Sequence, residues 1–233
     1  MVRLFAIADL HLSTAGAKPM DVFGAHWKDH PERIAAAWDA QVAPGDAVLL
    51  PGDLSWARAL DEATSDLAWI GARRGVKYLL RGNHDGWWST IAKVRQALPR
   101  GCHALQNDAF DLGGVVLVGA RGWITPDDPM ARPGDTTIFL RELARLRLSL
   151  LDADRRFGRA SKRVAMLHYP PWIEGRAASE VVAVLREGGV RTCVYGHLHG
   201  VDHALGVQGE RDGIRFHLVA ADAIGFAPVL VVP

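Results

Sequence analysis

The chain has 233 residues, of which 49% are hydrophobic and 23% charged, and its formal net charge is +1. That is the ordinary globular range, with room for one substantial α/β core. The near-zero charge gives no long-range pull toward nucleic acid or an anionic membrane. Cys102 and Cys193 lie far apart and outside any CxxC pair. They read as buried small apolar residues of a reducing compartment rather than as a disulfide framework. No apolar run reaches the roughly 18 residues of a membrane-spanning helix. The N-terminal residues lack the signal-peptide pattern, so the cytoplasm is the expected address.

In chain order, residues 2–8 read as an apolar strand that breaks at Asp9. A loop follows, then a helix over about 32–42 opened by Pro31, since proline suits the first helical turn. Pro44-Gly45-Asp46 is a turn, and residues 47–50 form a buried strand ending in Gly52-Asp53. A helix over about 61–73 precedes a strand over 76–80, which ends in Gly82-Asn83-His84-Asp85. Residues 109–112 and 115–119 pair as a hairpin through Gly113-Gly114. A polar loop, 126–134, follows as a candidate flap. Next is a long helix over 136–154, with Leu140, Leu143, Leu146, Leu150 and Leu151 along one face. A strand over 163–167 ends at His168, a helix over 179–187 stops at Gly188-Gly189, and a strand over 192–195 ends in Gly196-His197-Leu198-His199. Late strands occupy 214–219 and 229–232. One domain is expected.

One pattern recurs: short apolar strands end in polar clusters. In layered α/β folds, ligands bind at the carboxyl ends of strands. Alternation in Asp9-Leu10-His11 and in His197-Leu198-His199 is expected to put both polar side chains of each pair on one side of an extended segment. The ligand-type residues mix carboxylate, imidazole and one amide, without thiolate. This suits Mn, Fe, Zn, Co or Ni rather than a structural zinc cage.

Taken singly, each cluster is as well explained by turns and structural histidines. In order they read Asp9-x-His11, Gly52-Asp53, Gly82-Asn83-His84-Asp85, His168 and Gly196-His197-x-His199. This series resembles the calcineurin-like metallophosphoesterases in all five parts of the family signature. Three stretches, Gly52-Asp53-Leu54-Ser55-Trp56, His168-Tyr169-Pro170-Pro171 and Tyr195-Gly196-His197-Leu198-His199-Gly200, resemble a bacterial subgroup known only as predicted phosphohydrolases.

The resemblance implies a four-layer α/β/β/α sandwich of two packed mixed sheets with flanking helices. It also implies two divalent metal ions, manganese first, and a hydroxide between them as nucleophile toward a phosphodiester or phosphomonoester. By the same resemblance Asp9, His11 and His199 hold the first metal, Asn83, His168 and His197 the second, and Asp53 bridges them. His84 would act as proton donor or charge stabiliser, with Asp85 orienting it and keeping it protonated. Arg58, Trp87, Trp88, Arg121, Trp123 and Tyr169 are candidates for the substrate wall, with Trp87 and Trp88 foremost. A small phosphoester is the expected partner, with neither membrane nor nucleic acid favoured. A nuclease using the same site, or a metal-holding interaction module without catalysis, are the alternative readings.

Overall fold

In the computed structural model, residues 2–14 and 18–232 are described. Among them the strands form two sheets. The first is ordered β11 (Val229–Val232), β1 (Leu4–Ala6), β2 (Ala47–Leu50), β3 (Val76–Leu79) and β4 (Cys102–Ala104). The second is ordered β5 (Phe110–Asp111), β6 (Val116–Ala120), β7 (Arg163–Leu167), β8 (Val190–Tyr195), β10 (Ile214–Leu218) and β9 (Gly209–Arg211). Each sheet has a parallel centre. Antiparallel pairs occur only at the margins, β11 on β1, β5 on β6 and β9 on β10.

Period-two alternation sorts the strand residues into layers. In β1 and β2, Leu4, Ala6, Ala47 and Leu49 point inward, where they meet Leu117, Val164, Met166 and Val194 of the second sheet. The alternate residues Phe5, Val48 and Leu50 face outward onto Ile34 and Trp38 of α1 (His30–Gln41), Leu67 and Ile70 of α2 (Thr64–Gly71) and Val94 of α3 (Ile91–Ala97). On the other side Val118, Ala165, Leu167 and Phe216 pack under Leu143, Leu146 and Leu150 of α4 (Asp135–Phe157) and Leu185 of α5 (Glu180–Glu187). The order is helix, sheet, sheet, helix, as expected. Strands buried on both faces explain why they read as continuous apolar runs.

Some expectations are corrected. Leu140 and Leu151 are 54% and 55% exposed, while Leu143, Leu146 and Leu150 are buried. At 100° per residue the stripe that faces the sheet is narrower than the full set of leucines on α4. The strand β4 and the helix α3 were not read. The strand is only three residues long, and the helix is a seven-residue segment with Val94 as its one buried side chain.

The two sheets are joined where the site forms. Beyond β1, Ala8 bridges to Ala220 of the second sheet's side, with Ala8 N donating to Val219 O (2.7 Å) and Ala221 N donating to Ala8 O (3.0 Å). Leu12 then bridges to Ser55 in the loop after β2. The chain leaving β1 thus ties the carboxyl ends of both sheets together.

Candidate metal centre

Five strand ends deliver the ligand-type side chains. Asp9 and His11 follow β1, Asp53 follows β2, Asn83 follows β3, His168 follows β7, and His197 and His199 follow β8. They form two groups that meet at Asp53. In the first, His11 Nε2 lies 3.4 Å from His199 Nε2, His199 Nε2 lies 3.6 Å from Asp9 Oδ1, and His11 Nε2 lies 3.9 Å from Asp53 Oδ2. In the second, Asn83 Oδ1 is 2.6 Å from His168 Nε2 and 2.9 Å from His197 Nδ1, and His168 Nε2 is 3.5 Å from Asp53 Oδ2. Ligand atoms of Asp9, His11 and His199 lie within 4.8 Å of one another, as do those of Asp9, Asp53 and His168.

The backbone is not extended here, contrary to expectation. Asp9, His11, Asp53 and His197 have φ of 56°, 44°, 53° and 74°. Left-handed residues, not strand alternation, turn the side chains to one side. Asp tolerates this region better than most residues and His is enriched in it. Two motif glycines leave room for the carboxylates. A Cβ on Gly82 would stand 2.0 Å from Asp53 Oδ1, and one on Gly196 would stand 2.1 Å from Asp9 Oδ2. The glycines of Gly-Asn-His and Gly-His-x-His are therefore demanded by close approach.

Electrostatics favour a cation. Burial holds the His168 imidazole neutral, down to about 3, and burial with the neighbouring His168 does the same to His197, also about 3. Burial keeps His11 well below its ordinary value. Burial, then the charges of Asp9 and Asp85, push Asp53 up to about 9. His199 goes the other way. Burial opposes its charge, but the carboxylates of Asp222 and Asp9 hold its proton, up to about 10. Neutral imidazole lone pairs facing crowded carboxylates form an arrangement that divalent cations would relieve. Asp9 Oδ1 is buried without a hydrogen-bond partner among the described residues. The donors are O and N only, which fits the borderline and harder divalent metals.

The sequence profile of the calcineurin-like phosphoesterases matches residues 2–201. The chain belongs to that family. The gene 66 protein of Mycobacterium phage L5 is 33% identical over 86 residues, and that of phage D29 is 35% identical over 86 residues. Each match spans 41% of the phage protein's length. Among solved structures, the Thermus thermophilus protein TT1561 matches with TM-score 0.60 and 12% identity over 98% of both chains. The phosphopantetheinyl hydrolase of Mycobacterium tuberculosis matches with TM-score 0.55 and 15% identity over 94% of this chain and 88% of its own. At such identities these likenesses concern the fold.

Around the ligand groups the chain differs from expectation in several places. Asp85 does not pair with the His84 ring. It is fully buried and accepts from Asp53 N (2.8 Å), Gly82 N (2.8 Å), Leu54 N (2.9 Å), Ser55 N (3.2 Å) and Trp87 Nε1 (2.9 Å). Its place is to pin the loops that carry Asp53 and Asn83. Trp87 and Trp88 are 1% and 3% exposed, belong to the core beneath the first sheet, and do not line the cavity that reaches the ligand groups. Arg58 is exposed, away from the ligand groups, on a shallow cavity shared with Lys93. The Arg121 guanidinium is engaged by Glu142 of α4 (3.4 Å). Tyr169 does lie at the site. Its ring sits 4.1 Å from the His197 ring, with Trp123 behind it at 4.9 Å.

His84 is exposed beside the first group, with its ring 5.8 Å from His11 and 4.7 Å from Trp56. Trp56 itself stacks on His11 at 4.7 Å. These residues, with Trp27, Phe23 and Met20, line a mostly apolar bay of about 380 Å³ that reaches His199 and Asp222. Sequence reasoning did not select Asp222. Its Oδ1 accepts from His199 Nδ1 (2.9 Å), and its Oδ2 accepts from Gly200 N and His203 Nε2 (3.0 Å each). Burial disfavours its charge, yet the His199 hydrogen bond keeps it below the usual carboxylate range. A carboxylate on the far nitrogen of a ligating histidine is the familiar support of a metal site. The position four residues past the end of a strand was the sole available signal.

Proposed function

We propose that this chain hydrolyses phosphoric esters with two divalent ions held by its two ligand groups. Asp9, His11 and His199 would hold the first, Asn83, His168 and His197 the second, and Asp53 both. The observation that carries this reading is the meeting of the two groups at Asp53. His11 lies on one side of its Oδ2 at 3.9 Å and His168 on the other at 3.5 Å. Two such ions, when bound there, would supply Lewis-acid activation of water and charge neutralisation at the phosphoryl oxygens. Manganese is the first candidate by the family likeness, and a donor set of four imidazoles, two carboxylates and one amide oxygen also suits Fe, Zn, Co or Ni.

The chain's own residues supply the rest. Asp222 fixes the tautomer and direction of His199, and Pro51 O does the same for His168 through Nδ1 (2.9 Å). His84 stands at the mouth, where it meets the phosphoryl or leaving oxygen. Burial and the Lys18 charge lower its pKa. An arriving phosphate anion adds the counter-charge that favours its protonated form. The apolar bay of Trp56, Trp27 and Phe23 gives the organic group of the ester a surface to lie on. An ester with an apolar or aromatic alcohol is therefore the proposed substrate class. The two buried free cysteines fit the cytoplasm as the proposed address.

The test is hydrolysis of p-nitrophenyl phosphate and bis-p-nitrophenyl phosphate by metal-stripped protein reloaded with Mn, alongside Asp53→Asn. Metal-dependent turnover that the variant loses is the expected result, and the faster ester assigns mono- or diesterase. Stoichiometric metal binding without turnover on either ester would overturn the reading.

A further inference from the structure

A second cavity, of about 260 Å³, opens between the carboxyl ends of β3 and β6 and the first turns of α4. Four guanidiniums line it, those of Arg81, Arg121, Arg141 and Arg145, and among the described residues one acid, Glu142. That carboxylate is already shared, 3.4 Å from Arg121 and 3.4 Å from Arg145. Arg81 and Arg141 have no acidic partner among the described residues.

The Nε atoms of Arg81 and Arg121 are buried and make no hydrogen bond among the described residues, and Arg145 Nε has only Glu142 Oε1 at 3.4 Å, outside hydrogen-bond geometry. A buried donor without an acceptor is destabilising, and two in one cavity, beside a third that is poorly paired, call for an explanation. Like charge adds to it. Burial depresses the Arg121 guanidinium, Glu142 opposes this, and the charges of Arg81 and Arg141 depress it further. Guanidinium forks match the spacing of oxygens on a tetrahedral oxyanion. The volume suits a phosphate with a short organic tail, at the lower edge of the roughly 300–1,000 Å³ that ligand pockets span.

We propose that this arginine-lined cavity is a second anion site, which takes a phosphate dianion, free or carried on a small organic molecule. It shares no lining residue with the ligand groups of the metal centre, and the proposal stands whatever chemistry that centre performs. It does abut the centre's backbone. Arg81 precedes Gly82-Asn83, and Arg121 O accepts from His168 N and Tyr169 N (3.0 Å each).

Isothermal titration of the full chain loaded with Mn tests this, with inorganic phosphate and with methylphosphonate, which has no ester bond to cleave. Asp53→Asn, which damages the metal centre, should retain one phosphate site. In that background, Arg141→Gln with Arg145→Gln should weaken the site by at least about tenfold. Arg141 is exposed and forms no ion pair among the described residues, so Arg141→Gln alone leaves folding out of the question and should weaken binding at least about threefold. Binding of phosphate alone would identify the free anion as the ligand; binding of both probes would identify a phosphate group on an organic molecule. Loss of all phosphate binding in Asp53→Asn, or affinity unchanged by the arginine substitutions, would overturn the proposal.

Discussion

Asp85→Asn separates two accounts of the same residue. If Asp85 orients His84, the amide should lower turnover and leave stability alone. The structure says otherwise. Oδ2 accepts from Asp53 N and Gly82 N, and Oδ1 accepts from Leu54 N, Ser55 N and Trp87 Nε1. An amide NH2 must replace one of these oxygens. In the better orientation it faces the two donors on Oδ2, and both lose their acceptor and meet another donor. Each stranded buried donor is worth about 1–3 kcal/mol, so the loss is about 2–6 kcal/mol. That is a large part of the roughly 5–15 kcal/mol that holds a domain together. Urea unfolding of metal-free wild type and variant, followed by tryptophan fluorescence, measures it. Because the loop that carries Asp53 loosens as well, metal stoichiometry should fall in parallel. A variant within about 1 kcal/mol of wild type, with full metal content and reduced turnover, would refute the reasoning and return Asp85 to His84.

Gly196→Ala places a methyl 2.1 Å from Asp9 Oδ2 and breaks the bond from His197 N (3.0 Å), so bound metal per chain, read by plasma mass spectrometry, should drop while far-UV dichroism is kept. Asp222→Asn removes the charge behind His199, and metal affinity should fall roughly 10–100-fold in competition with a chelating dye; unchanged affinity would remove His199 from the ligand set. Trp56→Ala strips the stack on His11 and one wall of the bay, so KM should rise roughly three- to tenfold for an aryl ester and stay level for methyl phosphate. Acid stability carries one legible pair. The Arg3 guanidinium bonded to Asp46 holds that carboxyl below its ordinary value, so its stabilisation is present above the unfolded carboxylate range and disappears as pH falls through the folded value. Arg3→Ala should flatten that part of the acid unfolding curve.

The strands and the polar clusters at their ends were legible because both rest on local patterns, while the four layers and the joining of the clusters into one site came from the family resemblance. Strands such as Arg163–Leu167 are apolar runs bounded by polar breaks, and each break carries its ligand in sequence. What failed depended on three-dimensional neighbours. Trp87 and Trp88 stand next to Asp85 in sequence, yet β3 hands the chain to a loop that folds them under the first sheet, while Trp56 takes the wall. Asp222 belongs to no motif, and only the packing of the loop after β10 brings it to His199. The family resemblance assigned Asp85 to orient His84, yet neighbours in an irregular segment need not face the same way.

The left-handed ligands connect these points. A non-glycine residue held at positive φ costs about 1 kcal/mol or more, so Asp9, His11, Asp53 and His197 together store at least about 4 kcal/mol. The surroundings fix them. Asp9 N donates to Gly52 O (2.9 Å), His11 N to Asp53 O (3.0 Å), Leu12 N to Leu54 O (3.0 Å) and Trp56 N to Leu12 O (3.0 Å). This ladder runs between the loops after β1 and β2, and the Asp85 carboxylate holds its second rail through Asp53, Leu54 and Ser55. Leu10, Leu12 and Leu54 anchor it from below, each fully buried. The same turns that point apolar side chains into the core thus point Asp9, His11 and Asp53 at one another. Burial and crowding of this kind push Asp53 up to about 9, and it is the core that brings these candidate ligands together, whether or not a cation lies between them. Metal affinity should therefore track the stability of this ladder, and substitutions beneath it, such as Leu54→Ala, should weaken metal binding even though they touch no ligand.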